Sequence, residues 1–143
     1  MKIFCQQDYK TMLGNTRYSV ARYGCLTADI AMIYDYIHKL NVNPAEMAKK
    51  LEYNSDGLLL WPSLSKIGMK LVSRQYTFNK KVIDSELASP NRYVVLQVNN
   101  NHWVWPIGRW IPILGYKIVD PFRGDKCYTN RYKNNITGLA VVE

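Results

Sequence analysis

The chain of 143 residues contains no apolar run long enough to cross a bilayer, so a helical membrane span is excluded. Its opening, MKIFCQQDYKTM, has a lysine with no apolar stretch behind it, and no secretory signal is expected. A cytoplasmic protein follows, or one that leaves by cell lysis or inside a larger particle such as a virion. Cysteine is scarce. Cys5, Cys25 and Cys127 are three, so pairing would leave one over, and none stands in a C-x-x-C. With only two histidines beside them and no metal-binding spacing among the five, a zinc site of four well-spaced ligands is the lesser reading, and neither metal nor cofactor is expected. Thiols kept reduced, at least one of them for reactivity, account better for this count. Repeats, low-complexity tracts and linkers are missing as well, so residues 1–143 read as one domain. Acidic side chains are few, 11 against 19 basic, for a net charge of +8. That balance favours anionic partners: nucleic acid, anionic wall polymers, acidic surfaces. The charges are dispersed, and the densest cluster, Arg123, Lys126, Arg131 and Lys133, reads as a solvated loop. No recognition motif accompanies it, which puts nucleic acid last among the partners.

What is abundant is apolar and aromatic: 48% hydrophobic residues, with four tryptophans and eleven tyrosines, enough for a real core. After two dozen polar, irregular residues, Leu26, Ile30, Ile33, Ile37 and Leu40 recur at helical spacing, with Cys25 at the N-terminal edge directly after Gly24. A second helix is expected from Asn43-Pro44, with Asn43 as cap, Glu46 placed for a capping box and Met47, Ala48 and Leu51 buried. LWPSLSKIGM predicts a short third helix opened by Pro62 and closed near Gly68, and a brief helix is expected around Val82 to Leu87. A strand near Lys70 to Tyr76 is followed by RYVVLQV, HWVWPI, YKIVD and TGLAVV, which are β-rich and separated by turn residues. Helices first and an antiparallel sheet second define an α+β domain.

A thiol is a good nucleophile only when its thiolate is stabilised at working pH. Helix N-terminal amides and a nearby imidazolium both do this. Cys25 has the first from local sequence, and His102 can supply the second if the sheet packs across the helix. Asp120 ends the strand YKIVD beside a turn, where its carboxylate can hold the other imidazole nitrogen. Each residue alone has a plainer reading: a small buried cysteine, a satisfied strand histidine, an Asp-Pro turn. The set of three, on a helix followed by strands, shifts the balance toward chemistry. Cys5 and Cys127 lack such a context. His38 suits the negative end of its helix, and Trp103, Trp105 and Trp110 are better read as packing than as cleft walls.

Motifs in order along nearly the whole chain carry a resemblance. Gln6-Gln7-Asp8 precedes Gly24-Cys25 with Ala31-Met32 on the same helix. Asn43-Pro44 and Trp61 follow, then His102-Trp103-Val104, Asp120-Pro121-Phe122-Arg123-Gly124 and the glycine-containing last strand Gly138-Leu139-Ala140-Val141. This set resembles the stand-alone branch of the bacteriocin-leader (double-glycine) peptidases, a group of papain-like cysteine peptidases. The resemblance implies a papain-like fold, N-terminal helices packed on a C-terminal antiparallel sheet. It implies Cys25 as nucleophile, His102 as base, Asp120 as orienter, and Gln6 as an oxyanion donor beside the Cys25 backbone N–H. Gln7 is the rival for that last role, because the register rests on Asp8. Leu26-Thr27 follow the cysteine where many relatives carry Gly or Ala and then Pro.

The function expected from the resemblance and the charge is hydrolysis of amide bonds by a cysteine peptidase, with peptide bonds of bacterial peptidoglycan as substrate. A phage- or particle-associated wall endopeptidase, among other virion proteins, fits that expectation. The alternatives are processing of a leader peptide or precursor by the same chemistry, and a non-catalytic relative that binds a peptide or protein.

Overall fold

The computed structural model describes residues 1–143. The chain forms two compact units, residues 1–70 with 121–125, and residues 71–120 with 126–143. Its architecture is α+β, helices followed by a six-stranded antiparallel sheet, as the element order predicts. No helix is long and apolar enough to cross a membrane.

The first unit is helical. A 3-10 turn at Gln6–Asp8 is followed by α1 (Val20–Tyr23), α2 (Cys25–His38), α3 (Pro44–Lys50) and a 3-10 helix at Trp61–Ile67. Helix α2 buries Ala28, Ile30, Ala31, Met32 and Ile33 completely, a broader face than the isoleucine stripe alone. It stops earlier than the stripe suggests, since Ile37 is 36% and Leu40 61% exposed. Lys39 turns left-handed there, and the Asp35 carboxylate accepts the Asn41 N–H at 2.9 Å, drawing the chain away. Helix α3 begins as its sequence dictates: the Asn43 side chain accepts from the Glu46 N–H at 2.9 Å, and Pro44 occupies the first turn. The 3-10 helix opens on Trp61-Pro62 and closes at a left-handed Gly68. Leu13, Val20 and Ala48 form a small core with Tyr9, Tyr18 and Tyr53 against it. The Thr27 hydroxyl bonds the Tyr53 hydroxyl at 2.7 Å, and burial pushes that phenol up to about 12.

The second unit is the sheet with α4 (Lys80–Leu87). Strands β1 (Leu71–Gln75), β2 (Tyr93–Val98), β3 (His102–Ile111), β4 (Gly115–Asp120), β5 (Asp125–Tyr128) and β6 (Ile136–Val142) lie in the order β1-β6-β2-β3-β4-β5. The last strand in sequence is therefore central, pairing with β1 on one side and β2 on the other. Alternation sends Val94, Leu96, Val98, Val104, Tyr116, Ile118, Leu139 and Val141 to one face, where Ile83 of α4 joins them. Full burial of an Ile83-sized side chain contributes about 1.5–3 kcal/mol and anchors the helix. Val95, Trp103, Trp105, Val119, Ala140 and Val142, at the alternate positions, are buried as well. Strand β5 and a 3-10 turn at Thr129–Tyr132 are elements that the sequence reading lacks.

Candidate functional site

Asp120 closes β4 and His102 opens β3. These strands pair with Trp105 opposite Val119 and Pro106 opposite Ile118. Continuing that register sets Asp120 opposite Val104, which makes His102 its diagonal neighbour on the same face. The two side chains meet, His102 Nε2 lying 2.9 Å from Asp120 Oδ1. An ionised carboxylate only accepts, so Nε2 carries the hydrogen and Nδ1 is the basic nitrogen of the ring.

Two more donors converge on the same carboxylate. Arg131 Nη1 donates to Asp120 Oδ2 at 2.9 Å, and the Tyr132 hydroxyl donates to that oxygen too. The Asp120 side chain is fully buried. Burial alone would push its carboxyl up. The His102 hydrogen bond and charge, the Tyr132 hydroxyl and the Arg131 guanidinium outweigh burial and hold it well below the usual carboxylate range. Tyr132 responds in the opposite sense. Burial first, then its bond to the negative Asp120, push the phenol far up, so it stays a donor. Its ring centroid lies 5.2 Å from that of His102, which confines the imidazole from the side.

The Thr129–Tyr132 turn that delivers Arg131 and Tyr132 is pinned to the start of β4. The Tyr116 N–H donates to Thr129 Oγ1 at 3.0 Å, Thr129 Oγ1 donates to Asn134 Oδ1 at 2.5 Å, and the Asn130 N–H donates to the Leu114 carbonyl at 3.0 Å. Gly115 makes that arrangement possible. It has a φ of +84°, and a Cβ there would stand 2.0 Å from Thr129 Oγ1 and 2.1 Å from Asn134 Oδ1. Arg131, expected in a solvated basic loop, instead keeps only 23% of its side chain exposed and pairs with Asp120.

Cys25 belongs to the first unit. It is the first residue of the 14-residue α2 and is 7% exposed. Helix-end amides and the positive end of the macrodipole favour a thiolate at that position. Gly24 before it has a packing cause of its own: a Cβ would lie 2.7 Å from the Cα of Val20. Gln6 is 1% exposed and lies against α1, the helix that runs through Gly24 into Cys25. Its Nε2 sits 3.4 Å from the Val20 carbonyl and 3.3 Å from that of Ala21, while Oε1 is buried without a hydrogen-bond partner. Bonds that long are weak, so an amide hydrogen can be redirected to a developing anion at little cost. Gln7 is exposed and donates instead to the Phe122 carbonyl at 2.6 Å. The Gln6 N–H donates to the Pro121 carbonyl at 2.8 Å, so the two glutamines are tied to the Asp-Pro-x-x-Gly turn by different atoms.

The structure thus joins His102 to Asp120, and it sets Gln6 against the short helix that leads into Cys25. Tyr132 and Arg131 are the site residues that sequence reasoning missed. Nothing in Tyr128-Thr129-Asn130-Arg131-Tyr132 has a period or motif that would mark them. Of the remaining residues singled out, Cys5 and Cys127 are half-buried and in no disulfide, His38 lies against Tyr34 with centroids 4.4 Å apart, and Trp103 and Trp105 are buried. Comparison with protein-family models and with curated proteins finds no match for this chain.

Proposed function

We propose that the protein is a cysteine peptidase with Cys25 as nucleophile, His102 as general base and acid, and Asp120 as the group that orients His102. The observation that carries this is the His102–Asp120 pair at 2.9 Å, in which a buried carboxylate is kept ionised by His102 itself and then by Tyr132 and Arg131. An imidazole fixed in one tautomer by such a carboxylate is what a thiol nucleophile needs. The resemblance of the ordered motifs to papain-like double-glycine peptidases assigns that thiol to Cys25 and a papain-like arrangement to the fold.

In this mechanism the Cys25 thiol gives its proton to His102 Nδ1 and the thiolate attacks the scissile carbonyl. Negative charge then develops on the carbonyl oxygen, to be met by the Cys25 N–H and the Gln6 amide. His102 protonates the leaving amine, the C–N bond breaks, and an acyl-thioester remains. Water, deprotonated by His102, hydrolyses the thioester and restores the thiol. Peptide bonds of bacterial peptidoglycan are the substrate class that the resemblance and the +8 charge favour, the charge drawing the protein to an anionic wall. A phage- or particle-associated wall endopeptidase fits both.

A thiol-directed probe tests the assignment sharply, because Cys25 is the least exposed of the three cysteines. Exposure alone predicts faster labelling of Cys5 and Cys127. Activation predicts that Cys25 labels first, and that Cys25→Ala hydrolyses no wall peptide while melting cooperatively. Slower labelling of Cys25 than of both others, with undiminished hydrolysis by the alanine variant, would remove Cys25 from the role.

A further inference from the structure

The β3–β4 hairpin turns through Pro112, Ile113 and Leu114. Ile113 is 87% exposed, more than any other large apolar side chain of the protein, and its φ is +73°. Among the non-glycine residues at positive φ, five of eight are asparagines and Ile113 alone is β-branched. A β-branched residue there is strained, and such strain persists only where the surroundings impose it. Here they do. Asn134 Nδ2 donates to the Ile113 carbonyl at 3.2 Å, and the Asn130 N–H holds the Leu114 carbonyl.

Ile111, at 40% exposure, and Pro112 extend the apolar tip. Trp110 behind them packs edge-on against Tyr116, centroids 5.2 Å apart, and beside Phe78 at 6.1 Å, a firm base for the hairpin. The flanks are basic. Arg109 and Lys117 on the two strands and Lys133, next to the Asn134 clamp, are exposed and in no ion pair. Residues 107–119 and 126–136 contain no acidic side chain. Asp84, beneath the hairpin, is already bonded to the Tyr116 hydroxyl at 2.8 Å and to Lys80 at 2.7 Å.

We propose that this tip docks the protein on an anionic lipid bilayer, with Ile111, Pro112 and Ile113 entering the boundary between headgroups and acyl chains and Arg109, Lys117 and Lys133 meeting lipid phosphates. Three apolar side chains are far too few for a protein interface, which needs roughly 800 Å² from each partner and a central anchor cluster. Shallow insertion of a small apolar tip with a basic collar needs no more than this. The Asn134 and Asn130 bonds to the Ile113 and Leu114 carbonyls hold the turn, with the Ile113 side chain exposed, before contact, so little ordering is left to be done on binding.

Sedimentation of the full chain with vesicles of mixed phosphatidylglycerol and phosphatidylcholine tests the proposal. Ile113→Gly relieves the strain and removes the side chain, so it melts at or above the parent temperature yet partitions about tenfold less. Ile113→Asn, also at ease in that conformation, serves as a second variant. Neutralising Arg109, Lys117 and Lys133 together with Gln lowers binding about fivefold per charge and abolishes the preference for phosphatidylglycerol. Cys25→Ala binds as the parent does, which separates this surface from the peptidase proposal. Parent-like sedimentation of both Ile113 variants, equal binding to pure phosphatidylcholine, or no sedimentation with either vesicle overturns it.

Discussion

Replacing Asp120 by Asn removes one charge and changes one atom, and the structure says what each does. In the parent, Oδ1 accepts from His102 Nε2 at 2.9 Å and Oδ2 accepts from Arg131 at 2.9 Å and from the Tyr132 hydroxyl. An asparagine has one acceptor oxygen and one NH2 group for these three donors. With its oxygen toward His102, the NH2 faces the Arg131 guanidinium, donor against donor. Turned over, the NH2 faces Nε2 and forces the hydrogen onto Nδ1, the wrong tautomer for a base. Either way Arg131 loses the charge of Asp120. Breaking a buried ion pair from one side costs about 3–5 kcal/mol. Arg131 is partly exposed, so the expected loss is nearer 2–3 kcal/mol after solvent screening.

Activity should fall further than stability, by roughly 10³–10⁴ in kcat, since tautomer and imidazolium stabilisation are lost together. A third signature is in pH. The folded-state pKa of Asp120 lies below its unfolded value of about 3.9, so its stabilisation is fully present above that value and disappears as pH falls through the folded one. Melts from pH 7 down to pH 2 should therefore show a steeper acid limb in the parent than in Asp120→Asn. The measurements are kcat on a soluble wall peptide and Tm across that range. Parental kcat in the variant, or the same acid limb in both proteins, would refute the role given to the carboxylate.

Tyr132→Phe keeps the ring beside His102 and deletes only the hydroxyl bond to Asp120, so a stability loss of about 1.5–3 kcal/mol is expected by denaturant titration, with a smaller fall in kcat than for Asp120→Asn. Gln6→Ala should lower kcat by about 3 kcal/mol of transition-state stabilisation with little change in KM, while Gln7→Ala, exposed and bonded to Phe122, should leave kcat near parental; the reverse result in steady-state kinetics would exchange their roles. Gly115→Ala drives a Cβ into Thr129 and Asn134 at positive φ, so Tm should fall and crystallography should find the Arg131–Tyr132 turn displaced from Asp120.

Most of the fold was legible because its elements announce themselves by period or punctuation. Asn43-Pro44 caps as written, the Trp61-Pro62 to Gly68 helix keeps its bounds, and the expected strands appear within a few residues. The exceptions are of one kind. Helix α2 ends before Leu40 because Lys39 turns left-handed and Asp35 captures a backbone N–H, a local bond that an apolar stripe does not encode. Strand β5 has four residues, Asp125–Tyr128, too short for an alternation to register. Strand β3 runs on to Ile111 through Gly108, because its pairing with β4 resumes at Trp110 after a bulge.

The site divides along the same line. His102 and Asp120 were legible as strand-end residues, and the antiparallel register brings them to one face, a relation that follows once the strands are paired. Gln6 and Gln7 were told apart in sequence only by the register that the resemblance sets on Asp8; in three dimensions they differ in burial, Gln6 lying against α1 and Gln7 exposed. Arg131 and Tyr132 were illegible for a different reason. Their place depends on a Gly115–Thr129–Asn134 lock between residues up to 19 positions apart, none of them in a periodic segment. A basic residue in an asparagine-rich turn is ordinarily solvated, and only the buried charge of Asp120 makes another arrangement favourable. That dependence runs both ways. An unpaired carboxylate in this position would be pushed up by burial and would lose its charge, and with it the power to orient His102. His102 first, then Tyr132 and Arg131, together allow a fully buried aspartate to act as an anion, so Asp120 is not understood from the strand that carries it alone.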